Sequence, residues 1–188
     1  MWNNRVVRTI IINIGLIGMF GFSIVALMPA WAVDVLGGDV TTNGLLLSAR
    51  GLGALGAALI VASMGRLNIK GKLWTIGGLL MPVFLLLFGL ARSLWLSLVM
   101  ILIFGLMFML TTNTSNALVQ LIVPDNLRGR VMSIYTLVFF GSTPIGSLLA
   151  GWLAYTITMP GLVILCSAVM IVPAVIIWLR VPELRALD

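Results

Sequence analysis

The sequence contains no histidine and one cysteine, and only 9% of its 188 residues are charged. Because Cys166 has no second cysteine to pair with, a disulfide within the chain is excluded. The absence of histidine leaves little material for the usual metal sites, and no carboxylate pair or nucleophile–base arrangement is visible. We therefore expect no enzyme activity, no cofactor and no metal. Soluble domains carry about 25% charged residues, so the soluble globular class is excluded as well.

Apolar residues take the place of the missing charge. They make up 61% of the chain and occur in runs close to the roughly 20 residues that cross a bilayer. The sequence predicts an all-α membrane protein, with residues 1–188 forming a single bundle of six transmembrane helices. The predicted spans are about 7–33, 43–65, 73–91, 94–120, 130–156 and 161–179.

The first span also permits a signal-peptide interpretation, since Ala30-Trp31-Ala32 fits a cleavage site that follows Arg5 and Arg8. Secretory signals have apolar regions of about 7–15 residues, and this one is much longer. We therefore predict a retained transmembrane helix.

The basic residues lie in short segments between the apolar runs, which a bilayer explains better than a nucleic acid does. With the amino terminus inside, the cytoplasmic set is Arg5, Arg8, Arg66, Lys70, Lys72, Arg128, Arg130, Arg180 and Arg185. Only Arg92 would lie outside, and Arg50 lies within a span. Because cytoplasmic loops are enriched in Lys and Arg, both termini are predicted to be cytoplasmic.

The segment GLGALG at 51–56 matches the glycine pattern of a dinucleotide site. Such a site needs a preceding strand and an acidic residue about 20 positions later, and neither is present. Small residues in a membrane helix allow a neighbouring backbone to approach closely. The segment therefore predicts helix packing.

Arg50 lies about seven residues into the predicted second span, or roughly 10 Å deep at about 1.5 Å per residue. Arginine at the centre of a membrane helix costs about 2.5–3.5 kcal/mol, so such residues usually face protein or water. Two interpretations stay open. Arg50 contacts an anion in a transport cavity, or it extends outward towards Asp34.

The fourth span ends in a polar stretch. Asn113, Asn116 and Gln120 recur at i, i+3 and i+7, which places the three amides on one helical face with Thr112 and Ser115 beside it. Amides that face lipid would be unsatisfied. The stripe is predicted to line a polar cavity, and the alternative is hydrogen bonding between helices.

The following segment, 124–130, is predicted to be the turn into the fifth span. Its arginines can meet anionic headgroups at the inner face. Gly129 lies between two arginines with Asp125 nearby, which would allow a tight turn and an ion pair.

The fifth span carries Gly141, Pro144 and Gly146, a combination that predicts a helix kink. The third and sixth spans have hardly any polar side chains and suit peripheral positions facing lipid. Asn13 adds the first span to those that hold polar residues. One polar face in the bundle predicts a partner or a pore.

Four segments carry a family resemblance: FGFSIVALMPAWAVDVLGG, LLLSARGLGALGAALI, GRLNIKGK and VPDNLRGRVMSIYTLVFFGSTPIGSLLAGWLA. The chain resembles the carboxy-terminal half of a major facilitator superfamily transporter, in the branch of bacterial effluxers that includes the enterobactin exporter. The resemblance implies two inverted three-helix repeats in the bacterial inner membrane, with the first, second, fourth and fifth helices facing a cavity. It also implies a cytoplasmic latch formed by Arg66, Lys70, Lys72, Asp125, Arg128 and Arg130.

The expected function is a half-size transporter that pairs with itself, as a homodimer, or with another half. It would export an amphipathic or anionic small organic solute along a path lined by Asn13, Arg50, Asn113, Asn116 and Gln120. The alternatives are a non-transporting membrane subunit that packs against a larger complex, and a truncated transporter half. All five acidic residues lie at span ends, in loops or in the tail, so proton antiport by this chain alone is not expected.

Overall fold

A computed structural model of the protein describes residues 4–63, 69–154 and 156–186. Six helices in this part of the chain are long and apolar enough to cross a membrane. They are α1 (Arg5–Val35), α2 (Val40–Ser63), α3 (Lys70–Leu90), α4 (Leu94–Ile122), α5 (Asp125–Leu153) and α6 (Met159–Arg180). A short 3-10 helix, Pro182–Ala186, follows. The prediction of an all-α protein with six membrane helices is confirmed, although α2 and α5 begin earlier than predicted.

Helix α1 is irregular. It consists of α-helical Arg5–Leu16, π-helical Ile17–Phe22, α-helical Ile24–Ala30 and π-helical Trp31–Val35. Its first π-helical segment packs directly on Gly146 of α5. The approach is so close that a Cβ at Gly146 would lie 2.6 Å from the Met19 carbonyl carbon. The hydroxyl of Thr143 on α5 donates to the Gly18 carbonyl oxygen at 3.4 Å. Small residues and a cross-helix hydrogen bond therefore hold the irregular part of α1 against α5.

The two ends of the bundle are identified by contacts between distant residues. At one end, which we call the Arg5 end, the Arg5 guanidinium donates to the Arg180 carbonyl oxygen at 3.1 Å. At the other, the Asp34 end, Asp34, Arg92 and Met159 border one pocket. The helix bounds place most of the described basic residues at the Arg5 end, namely Arg5, Arg8, Lys70, Lys72, Arg128, Arg130 and Arg180. The charge asymmetry read along the chain is therefore an asymmetry of the bundle.

Burial differs sharply between the helices. Only 17% of the most apolar stretch of α2, and of α5, is buried, against 44% in α3 and 33% in α6. The lipid-facing position predicted for the third and sixth spans stays a prediction, because burial within one bundle does not say which faces meet lipid. Helix α3 packs closely on α6, since a Cβ at Gly89 would lie 3.1 Å from the side chains of Val163 and Ile164. Helices α2 and α5 instead leave large apolar faces uncovered.

The GLGALG segment packs α2 against α4. A Cβ at Gly53 would lie 2.9 Å from the Leu106 backbone nitrogen, and one at Gly105 would lie 3.1 Å from the Arg50 backbone. Gly51 faces open space. The packing interpretation is confirmed at Gly53, and the reciprocal glycine on α4 holds Arg50 close to that helix.

Candidate functional site

A pocket of about 650 Å³ lies between α1, α4 and α5. We call it the amide pocket, because the predicted amide stripe forms one wall. It is lined by Phe22, Phe108, Met109, Thr112, Asn113, Asn116, Ala117, Gln120, Tyr135, Phe139 and Phe140. From Phe108 to Gln120 it follows α4 for roughly 18 Å, at about 1.5 Å per residue. The structure therefore brings all three predicted amides of α4 into one cavity.

The amides face the pocket with part of their surface exposed. Asn113 and Asn116 are half-buried and Gln120 is exposed. The Gln120 amide nitrogen donates to the Asn116 side-chain oxygen, one turn earlier on the same face. This pair forms a polar strip on the pocket wall.

The hydrogen-bonding alternative applies to another face of α4. Ser115 is 1% exposed, and its hydroxyl accepts a hydrogen bond from the Trp74 indole nitrogen of α3 at 2.5 Å. Thr111 is fully buried, and its hydroxyl donates to the Met107 carbonyl oxygen of its own helix at 2.7 Å. The polar stretch thus combines a buried face, which packs on α3, with a cavity face.

Four phenylalanines form the apolar wall. The rings of Phe22 and Phe108 have centroids 6.1 Å apart, and Phe139 and Phe140 form an edge-to-face pair at 5.0 Å. Sequence reasoning did not single out these residues. The four-residue spacing of Phe108, Thr112, Asn116 and Gln120 could have identified Phe108. Phe22 carried no such signal, because it closes a π-helical stretch.

Tyr135 joins the pocket's two longest walls. Its hydroxyl donates to the Thr112 carbonyl oxygen at 3.3 Å, which connects α5 to α4 beside the amides. Sequence reasoning also missed Tyr135, although it precedes the pocket residue Phe139 by four positions, or about one helical turn.

Arg50 is not among the residues that line the pocket, but it lies beside two phenylalanines that do. Its guanidinium carbon is 5.6 Å from the centroid of the Phe22 ring and 5.4 Å from that of Phe108. Its Nε atom is buried and has no hydrogen-bond partner. Since α2 begins at Val40, Arg50 lies ten residues, or roughly 15 Å, from the start of the helix.

The outward interpretation of Arg50 is not what the structure shows. Asp34 lies at the end of the bundle, beside a separate pocket of about 650 Å³ that Arg92 also borders. Within the described residues the one ion pair joins Asp125 and Arg128, so Arg50 does not reach Asp34. The same part of the chain contains no group of three acidic, histidine or cysteine side chains that could hold a metal.

Asn13 is the predicted path residue that the structure places elsewhere. It is 8% exposed and borders two clefts of about 10 Å³ each, with Gly78 of α3 and Ala174 of α6. These clefts lie on the side of α1 that faces α3 and α6. Asn13 is therefore a residue of the helix interface and not of the amide pocket.

The predicted latch residues lie near the Arg5 end where they are described; Arg66 falls outside the described residues. Asp125 and Arg128 form an ion pair at 2.5 Å, and both side chains are largely exposed. The predicted turn at Gly129 is wrong, because α5 begins at Asp125 and Gly129 is already helical. Lys70 and Lys72 begin α3, and no ion pair among the described residues joins them to α5.

The predicted kink residues have separate surroundings. Pro144 lies within α5, and helical structure continues through it to Leu153. Gly146 packs on α1, whereas a Cβ at Gly141 would meet only Leu137 of its own helix, at 4.0 Å. Close packing on α1 therefore accounts for Gly146.

Comparison with known protein families gives a match over nearly the whole chain. The sequence model of a family described as transmembrane secretion effector, of the major facilitator type, matches residues 2–188. No curated protein matches the chain at a significant level.

Proposed function

Since the chain belongs to the transmembrane secretion effector family and is a transporter-type membrane protein, we propose that it forms one half of a transporter whose substrate path is the amide pocket. The observation that carries the proposal is the position of Asn113, Asn116 and Gln120, partly exposed in an open cavity of about 650 Å³ on an apolar helix. Amides facing hydrocarbon would lack hydrogen-bond partners, which supports a cavity filled by water or solute.

The pocket needs a cover on its open side. Helices α2 and α5 carry uncovered apolar faces, with Leu52, Leu55 and Leu59 on one and Leu137, Leu148 and Trp152 on the other. A second six-helix bundle would cover these faces, either another copy of this chain or a different half. The two halves of major facilitator proteins are related by an axis along the membrane normal, so two copies in the same orientation suit the arrangement.

The direction of transport in this proposal is outward, with the Arg5 end in the cytoplasm of a bacterium. The concentration of basic residues at that end supports this orientation. Rocking between the two halves would expose the pocket to each side in turn. The Asp125–Arg128 pair lies at the end of the bundle where a cytoplasmic latch would act. The solute is an amphipathic or anionic small organic molecule.

The mass of the purified protein in lipid nanodiscs, measured by native mass spectrometry, tests the pairing. Two copies, twice 20.2 kDa, are expected if the chain closes its own pocket. A lone copy would contradict the homodimeric transporter. Co-purification with a larger unrelated complex would favour the second candidate, a non-transporting subunit that uses α2 and α5 for assembly.

A further inference from the structure

We propose that the amide pocket binds an organic anion with a single negative charge and an aromatic ring, with the anionic group on Arg50 and the ring among the phenylalanines. This inference rests on the proposed function, because it assigns a class of solute to the same pocket. It excludes organic cations as substrates.

The preference for an anion follows first from the lack of acidic residues around Arg50 in the described part of the chain. None of the residues that line the amide pocket is acidic or basic. Among the acidic residues, Asp39 immediately precedes α2 and lies roughly 16 Å from Arg50 along the helix axis, while Asp34 and Asp125 belong to opposite ends of the bundle. Arg50 is not itself a lining residue, but its guanidinium lies against the lining rings of Phe22 and Phe108, and no ion pair among the described residues neutralises it. An arginine within a membrane helix is stabilised by a partner of opposite charge, by backbone carbonyls or by water.

The surroundings of the guanidinium carry the second step. The faces of Phe22 and Phe108, at 5.6 and 5.4 Å, attract the cation but accept none of its N–H hydrogen bonds. The buried Nε has no acceptor among the described groups. A carboxylate offers two coplanar oxygens, which match the planar donors of arginine. The site is thus complementary to an anion, whose oxygens would supply an acceptor for this guanidinium.

The rest of the pocket carries the third step. The wall beside Arg50 consists of the Phe22 and Phe108 rings and continues from Phe22 to Phe139 and Phe140. These rings favour an aromatic body through offset or edge-to-face contacts. Further along α4 the wall changes to Thr112 and the three amides, which suit polar substituents. Starting from the end near Arg50, the pocket would therefore hold the anionic group, then the aromatic ring and then the polar substituents. A cationic amphiphile would meet an unpaired positive charge with no acid to offset it.

Binding of three probes of nearly the same shape tests this assignment on the full chain in nanodiscs. The probes are 1-naphthoate, neutral 1-naphthamide and the cation 1-naphthylmethylammonium, each measured by equilibrium dialysis with empty nanodiscs subtracted. We expect saturable binding of naphthoate, weaker binding of naphthamide and none of the cation. Arg50→Gln should weaken naphthoate binding at least tenfold and change naphthamide binding less than twofold, which shows that the pocket is intact.

Two further variants sharpen the comparison. Arg50→Lys keeps the charge but loses the planar donors, so naphthoate affinity should fall between those of the wild type and Arg50→Gln. Arg92→Gln is the matched control, because Arg92 donates to the Gly89 and Ala91 carbonyl oxygens at the Asp34 end, away from this pocket. It should leave binding of all three probes unchanged.

Three results would overturn the inference. Equal affinity for naphthoate and naphthamide, an unchanged naphthoate affinity in Arg50→Gln, or no saturable binding of naphthoate would each do so. The proposed function is judged separately. If Asn116→Leu weakens naphthamide binding while Arg50→Gln has no effect, the pocket remains the path and only the anion assignment fails. If neither probe binds, the mass measurement still decides whether the pocket is closed by a second copy.

Discussion

Replacing Gly53 and Gly51 by alanine, one at a time, tests how α2 and α4 pack. The two glycines lie two residues apart on the same helix, within one apolar segment. A Cβ at Gly53 would lie 2.9 Å from the Leu106 backbone nitrogen and still closer to the Leu102 carbonyl oxygen, whereas one at Gly51 would meet nothing within 4 Å. Gly53→Ala is expected to destabilise the bundle, and Gly51→Ala is its matched control.

The magnitude follows from the difference between the two sites. Both substitutions gain the same helical preference of alanine over glycine, about 0.5–1 kcal/mol, so this contribution cancels between them. What remains is the cost of overpacking at Gly53, typically about 1–3 kcal/mol. For a chain of this size, each kcal/mol lost from the free energy of unfolding lowers the unfolding temperature by about 2–4 °C. Gly53→Ala should therefore unfold roughly 2–12 °C below Gly51→Ala.

The single cysteine provides the assay. Cys166 is buried in α6, so a thiol-reactive fluorescent dye labels it when the bundle opens on heating. Neither glycine is on α6, and neither substitution changes the labelling chemistry. Equal unfolding temperatures for the two variants would refute the close approach of α2 and α4. So would a lower temperature for Gly51→Ala. Because Gly105 packs on the Arg50 backbone from the same interface, Gly53→Ala should also weaken naphthoate binding.

Asn116→Leu should abolish transport in proteoliposomes and leave the unfolding temperature and the copy number nearly unchanged; a loss of assembly alone would favour a packing role. Ser115→Ala should instead lower the stability of the bundle and leave transport nearly unchanged, because it leaves the buried Trp74 indole without its acceptor. A loss of about 1 kcal/mol in the free energy of unfolding is expected by the same thermal assay; unchanged stability would contradict the hydrogen bond. The Thr42 backbone amide, which donates to the Asp39 carboxylate at 3.0 Å, lowers the pKa of Asp39 below its ordinary value of 3.8. This contact should therefore stabilise the start of α2 above about pH 4 and be lost as the pH falls through the lowered pKa, and Asp39→Asn should remove that pH dependence.

Much of the architecture follows from local patterns. The length of each apolar run predicts a span, and the i, i+3, i+7 spacing of the amides on α4 predicts a shared face. Both are properties of a single helix, so no knowledge of its neighbours is needed. The same spacing could not tell which side of α4 would pack on α3, and Ser115 and Asn116, adjacent in sequence, belong to different faces.

Contacts between helices explain where the residue-level predictions differ from the structure. Asn13 resembles a cavity residue in the sequence, yet the rotation of α1 places it against α3 and α6. Phe22 reaches the pocket from the end of a π-helical stretch, which packing against α5 stabilises and no periodicity indicates. Arg50 lies against the Phe22 and Phe108 rings, a contact between three helices that no pattern within α2 indicates.

The sequence by itself determined that this is a membrane protein, how many helices cross the membrane and which face of α4 carries the amides. Composition and periodicity decide these features, and both act within one helix. The tertiary structure alone decided which faces meet. It placed Arg50 beside two phenylalanine rings, separated Asn13 from the amides and left α2 and α5 uncovered. These outcomes depend on the rotation and close approach of helices distant in sequence, which small residues such as Gly53, Gly105 and Gly146 permit.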